Sequence, residues 1–346
     1  MSKLLNFIQK DRLYILLVTF IIVFNIALFT SDEALDAGKM ISKSEWNEDP
    51  VAQRIEMEKK LAENRPLALV LGLASLLIFA VLLLGIATDW IFVSSLISGR
   101  MPDITTHRHE TKGIGWDPAD VARVAILFLF FGYMAVIIES FLADIFPALK
   151  NDNFRMMLNS AVLDTLTVVF ILYFTVTKYK EKLISLGLSV KNLARNIFYG
   201  IVCYIAIMPV LIAVLAVILF FIRLTGYVPE KQPVVELFLK EQNQAFLLFT
   251  SIFAAVIGPI IEELFFRGFM YSAVRKYIGV FWAALITSAL FAVLHTNVVG
   301  FLPIMVLGIA LAYMYERTGT LVSSITVHMI HNLSMVFFVF ILKQLS

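Results

Sequence analysis

"LALVLGLASLLIFAVLLLGIA", residues 67–87, holds no charge and a single serine over its whole length. An α-helix rises 1.5 Å per residue, so a run of this size reaches about 30 Å, the thickness of a bilayer's hydrocarbon core. Inside lipid every backbone N–H and C=O must be satisfied within the protein, which a helix does locally. The run therefore predicts a membrane-spanning helix. Outward from it, the chain shows further apolar runs, and together they cover roughly 13–30, 67–98, 120–146, 156–177, 197–222, 244–269, 279–296, 301–316 and 320–342. The second exceeds one crossing and is expected to tilt or emerge as an extension. The eighth is short and is expected to be partly buried between neighbours. A transmembrane barrel would show short alternating segments instead. The predicted fold class is all-α, a polytopic transmembrane bundle of about eight or nine spans.

Composition points the same way. Of 346 residues, 60% are hydrophobic and 16% charged, against about 25% charged in soluble domains. The first run is too long for a signal-peptide core and lacks a small-x-small cleavage pattern after it, so it reads as an anchor that stays. The one cysteine, Cys203, sits in an apolar run and gives neither a disulfide framework nor a cysteine metal site within one chain. A net charge of +2 says little about partners, because distribution matters more than the sum. Membrane lipid is the expected partner, nucleic acid is not, and nothing sets an oligomeric state.

Basic residues orient the bundle. Lys3, Lys10 and Arg12 precede the first run, Lys178, Lys180, Lys182, Lys191 and Arg195 fill the 178–195 connection, and Arg275 and Lys276 follow the sixth. With nine spans all three groups share one side, which predicts a cytoplasmic N-terminus in a multi-pass integral membrane protein, in the plasma membrane if the chain is bacterial. The 31–65 loop carries nine acids and six bases and is expected outside, with 46–64 as a polar surface helix. Residues 1–155 read as an N-terminal transmembrane extension with polar loops, and 156–346 as a denser core.

That core contains charges in apolar surroundings. "GPIIEELFFRGFM" (258–270) places Glu262, Glu263 and Arg267 within two helical turns, although one charge at the centre of a membrane helix costs roughly 2.5–3.5 kcal/mol. Glu263 and Arg267, four apart, share a helix face; Glu262 is turned about 100° away and is left to another partner. "SALFAVLHTN" (288–297) sets Phe291 and His295 four apart, and "SSITVHMIHNLSM" (323–335) does the same for His328 and Asn332. His331 is turned aside and reads as packing. Along the helices, Glu262 stands about 21 Å from the turn near Lys276, His295 about 25 Å along the return helix, and His328 about 12 Å from the Thr318–Thr320 turn. The first two depths agree; the third is a looser fit that tilt or a broken eighth segment would absorb.

A carboxylate and an imidazole can activate one water, while a second imidazole with an amide can stabilise the oxyanion formed on a peptide carbonyl. No GxSxG or HExxH pattern offers the serine or zinc template. Two histidines and a glutamate are also donors that zinc accepts; the reading above needs no cofactor, with zinc as the alternative. Asp89, Glu139, Asp144 and Asp164, within or near the runs, are expected to make interhelical hydrogen bonds or sit at the interface. "HRHE" (107–110) reads as a solvated loop.

"EELFFR" fits EExxxR, "FAVLH" fits FxxxH and "HMIHN" fits HxxxN, in that order, and "YERTGTLVSSITVH" (315–328) is similar to the usual lead-in to the last motif. Over about residues 183–346 the chain resembles the CPBP family of intramembrane proteases, also called the Abi or CAAX-protease family. The resemblance implies an intramembrane endopeptidase with Glu262 as catalytic glutamate, His295 as its partner on water, and His328 with Asn332 as oxyanion site. Glu263 and Arg267 complete the first motif as an orienting ion pair, and Phe291 belongs to the second. Two other classes stand beside this one. They are a non-proteolytic scaffold or bacteriocin-immunity protein on the same fold, and a proton-coupled transporter using Glu262, Asp164 and the histidines.

Overall fold

The computed structural model describes residues 11–29, 58–101, 103–106, 113–227, 229, 233–295 and 298–345. Every apolar run is helical, and the described residues contain no strand. The elements are α1 (Arg12–Phe29), α2 (Arg65–Ile97), α3 (Pro118–Leu142), α4 (Asp152–Leu172), α5 (Leu193–Thr225), α6 (Pro233–Lys240), α7 (Gln244–Ile252), α8 (Gly258–Glu263), α9 (Ser272–Leu294), α10 (Phe301–Thr318) and α11 (Leu321–Leu345). Six helical stretches are long and apolar enough to cross a membrane, the longest being Gln244–Leu294. The protein is an all-α, multi-pass membrane protein.

The stretch Gln244–Leu294 contains two of the apolar runs, and Gly279 separates them. Its φ of 80° and ψ of 175° fall in a region that only glycine occupies without strain. The chain turns there, three residues after Lys276, close to where the basic pair predicts a turn. Two widened, π-helical turns, Phe253–Ile257 and Leu264–Tyr271, interrupt the same stretch on either side of α8. No sequence pattern announced them. Of the predicted 46–64 surface helix, residues 58–63 are helical and 46–57 lie outside the described residues, as does HRHE.

The helices pack into two units. One comprises Met1–Asn64 and Ala119–Phe170, the other Arg65–Pro118 and Ile171–Ser346. In the second unit α2 packs with the C-terminal helices, against α5 above all. In the first unit, Phe20 and Phe24 of α1 meet Phe130 and Tyr133 of α3. Glu139 is buried and accepts from Arg155 Nε (3.2 Å) and Asn159 Nδ2 (3.1 Å) of α4, the interhelical bonding expected of it.

In the second unit, Tyr204, Leu211, Leu307, Leu311, Met314 and Val327 form an apolar cluster shared by α5, α10 and α11. At Gly85 the approach of α2 to α5 is so close that a Cβ would sit 2.4 Å from the Ile205 carbonyl and 2.7 Å from Pro209. Small residues permit such close helix contacts in membranes. The turn between α10 and α11 is buried: Thr318 and Thr320 are 0% exposed, beneath the 187–189 segment, whose Gly187 and Ser189 carbonyls accept from Thr320 Oγ1.

Candidate active site

The three motifs converge on one cluster in the second unit. Glu263 is completely buried, and its Oε1 accepts from Arg267 Nη1 at 2.7 Å and from His328 Nδ1 at 3.1 Å. Arg267, also buried, donates from Nη2 to the Gly308 carbonyl (3.1 Å) and lays its guanidinium over the Phe291 ring, 4.7 Å from the centroid. The i, i+4 pairing read from the sequence thus forms even though a widened turn begins directly after Glu263. At Gly308 a side chain would collide with Ser288, whose Cβ would lie 2.9 Å away, so α9 and α10 come close enough for that carbonyl to reach the arginine.

Glu262 faces elsewhere, as the 100° rotation requires. Its side chain keeps 35% exposure, and Oε2 lies 3.6 Å from His328 Nε2, beyond hydrogen-bond length. Among the described residues that oxygen is buried with no hydrogen-bond partner. The nearest imidazole to Glu262 is thus His328, whereas the sequence reading set His295 beside it. One ring touches both carboxylates, Nδ1 toward Glu263 and Nε2 toward Glu262.

His295 caps α9, with Nδ1 2.8 Å from the Phe291 carbonyl. A carbonyl only accepts, so Nδ1 carries a proton, and in the neutral ring Nε2 holds a lone pair. Phe291 is the common wall. Its centroid stands 4.6 Å from the His295 ring and 5.5 Å from the His328 ring, which keeps the two imidazoles within about 10 Å of each other. Asn332 donates from Nδ2 to the Ala254 carbonyl at 2.9 Å, tying α11 to the first widened turn; its second N–H and its Oδ1 are uncommitted among the described residues. His331 turns away and meets the edge of Tyr204, 6.2 Å between centroids. Among the described residues no three His, Cys, Asp or Glu side chains are grouped to hold a metal ion.

The structure also brings in residues that the sequence reading passed over. Gly308 supplies the carbonyl for Arg267, Ala254 supplies one for Asn332, and Trp116 reaches the second widened turn from the 99–118 connection. The first two act through backbone atoms, which leave no trace in residue identity. Trp116 had a signal: a large aromatic inside "GIGWDP" (113–118), where glycine and proline mark a loop.

Fold and cluster define a class: a multi-pass helical membrane protein with paired carboxylates, an arginine and converging imidazoles buried among its spans. Comparison with known proteins narrows it. Residues 244–334 match the model of the family described as Type II CAAX prenyl endopeptidase Rce1-like. A stretch of 81 residues is 31% identical to the Bacillus subtilis (strain 168) protein named "Putative membrane peptidase YdiL", covering 23% of this chain and 33% of that relative. The chain thus matches about a third of the curated relative's length. No solved structure matches it. The matched region holds all three motifs, so the C-terminal bundle is CPBP-like.

Proposed function

We propose that the chain is an intramembrane endopeptidase in which Glu262 activates water to cut a peptide bond. One observation carries this reading: each of the two adjacent carboxylates has a buried oxygen without a hydrogen-bond partner, but Glu263 is wholly buried with its other oxygen held by Arg267 and His328, while Glu262 keeps 35% exposure and meets His328 only at 3.6 Å. An intramembrane carboxylate left unneutralised is a functional group by default.

The geometry suggests how the site works. His328 Nε2 faces Glu262, and as an Nε2–H donor it serves the oxyanion together with Asn332. Glu262 takes a proton from water whose oxygen bonds to the substrate carbonyl carbon, and His295 Nε2 accepts the water's other hydrogen. The tetrahedral oxyanion receives hydrogen bonds from His328 and from the free N–H of Asn332. Collapse breaks the C–N bond, and Glu262 returns its proton to the leaving amine.

The substrate class is a peptide or membrane-protein segment reaching the site within the membrane; the family description adds a prenylated C-terminal tail as the first candidate. The basic connections favour a cytoplasmic N-terminus, in the plasma membrane if the chain is bacterial. The test is cleavage by the full chain in liposomes of prenylated and unprenylated peptides, using wild type, Glu262→Gln and His295→Ala. Glu262→Gln lowers kcat by about 10²–10⁴-fold while the melting midpoint holds. Cleavage that survives both substitutions overturns the mechanism. A wild type inert toward every peptide returns the scaffold reading, and loss of activity with a chelator assigns the imidazoles and Glu262 to zinc.

A further inference from the structure

Trp116 belongs to the connection between α2 and α3, well outside the matched region 244–334. It is nevertheless 0% exposed, and its neighbour Ile114 is buried as well. The indole stacks on Phe269 with centroids 5.6 Å apart and planes 17° from parallel. Its Nε1–H donates to the Phe269 carbonyl at 2.9 Å. Phe269 lies in the widened turn Leu264–Tyr271, which follows Glu263 directly and carries Arg267.

A widened turn departs from the regular i→i+4 ladder, and such irregular turns persist where other groups occupy their carbonyls. Here the Arg267 carbonyl accepts from Ser272 Oγ (3.3 Å), and the Phe269 carbonyl accepts from the Ser272 N–H and from Trp116. The contact is reciprocated. Lys276, one turn further along α9, donates from Nζ to the carbonyls of Ile114 and Trp116. Residues 113–117 thus form a strap fastened at two points, Phe269 and Lys276, to the helical stretch that carries the acidic motif. Gly115 lets it lie flat, since a Cβ there would stand 2.5 Å from the Tyr179 ring.

We propose that Trp116 is a positioning residue for the hydrolytic site, holding the 264–271 turn wide so that Arg267, while paired with Glu263, also reaches the Gly308 carbonyl and the Phe291 ring, and Glu262 stays turned toward His328. This rests on the hydrolytic reading of Glu262. Without the indole N–H the turn relaxes toward regular α-geometry, and the residues on either side of it rotate out of register.

The experiment uses the full chain in detergent with Trp116→Phe, which keeps an aromatic ring and removes the N–H, and Lys276→Met. Three quantities are read: amide exchange by residue segment, kcat and KM on a cleaved peptide, and the melting midpoint. The expected result is faster exchange confined to 264–272 and a kcat about five- to tenfold lower, the scale of one hydrogen bond. KM and the midpoint stay as in wild type. Wild-type exchange and kcat in both variants overturn the proposal. So does a general rise in exchange with a lower midpoint, which makes the strap a fold element only. A wild type that cuts no peptide removes the hydrolytic reading, and the catalytic role of Trp116 falls with it, while exchange still decides whether the strap holds the turn.

Discussion

Arg267→Met is the most telling perturbation of the buried cluster. The arginine gives Glu263 a 2.7 Å bond, gives the Gly308 carbonyl a 3.1 Å bond, and covers Phe291. Its removal leaves a fully buried carboxylate with His328 as its remaining partner, and breaking one half of a buried ion pair costs about 3–5 kcal/mol. Glu263→Gln strands the arginine in the same way, at a comparable cost. The double variant strands neither charge. It is therefore less destabilised than the sum of the singles, by about 2 kcal/mol or more. Reversible unfolding of the four proteins in mixed detergent micelles, followed by tryptophan fluorescence, measures the coupling, with His328 unchanged throughout. Singles that add to within about 0.5 kcal/mol would refute the view that these two residues neutralise each other.

Two further outcomes follow from the geometry. Gly279→Ala costs about 1–3 kcal/mol in the same assay. A Cβ there meets nothing within 4 Å, so the cost is purely one of backbone conformation; Gly72→Ala, at a helical and equally open position, is the control and does not destabilise. Asn332→Ala loses the bond to the Ala254 carbonyl and costs about 1 kcal/mol of stability, yet lowers kcat by about 10²–10³-fold if its second N–H serves the oxyanion. Equal small losses in both would confine Asn332 to tying α11 down.

The helices were legible because lipid leaves the chain no alternative: each apolar run had to satisfy its own backbone, and each is a helix. The Glu263–Arg267 pair was legible because four residues separate them on one helix face. The contact between His328 and Glu262 was not. It depends on the buried turn at Thr318–Thr320 and on two widened turns, and these are set by tertiary contacts such as the Trp116 and Asn332 hydrogen bonds. Sequence spacing along one helix carries no information about how deep a neighbouring helix begins. Spacing alone therefore does not choose between His295 and His328 as the neighbour of Glu262.

The position of His328 changes what the acidic motif is for. If Arg267 only made the membrane tolerate Glu263, the pair could stand anywhere along the helix. Instead Glu263 Oε1 is shared between Arg267 and His328 Nδ1, and the other nitrogen of that ring faces Glu262. One imidazole thereby stands between the two carboxylates. A carboxylate fixed on Nδ1 holds the ring's orientation and so aims Nε2 at Glu262. EExxxR and HxxxN accordingly meet in one contact network, in which His328 bonds Glu263, approaches Glu262 and packs against Phe291.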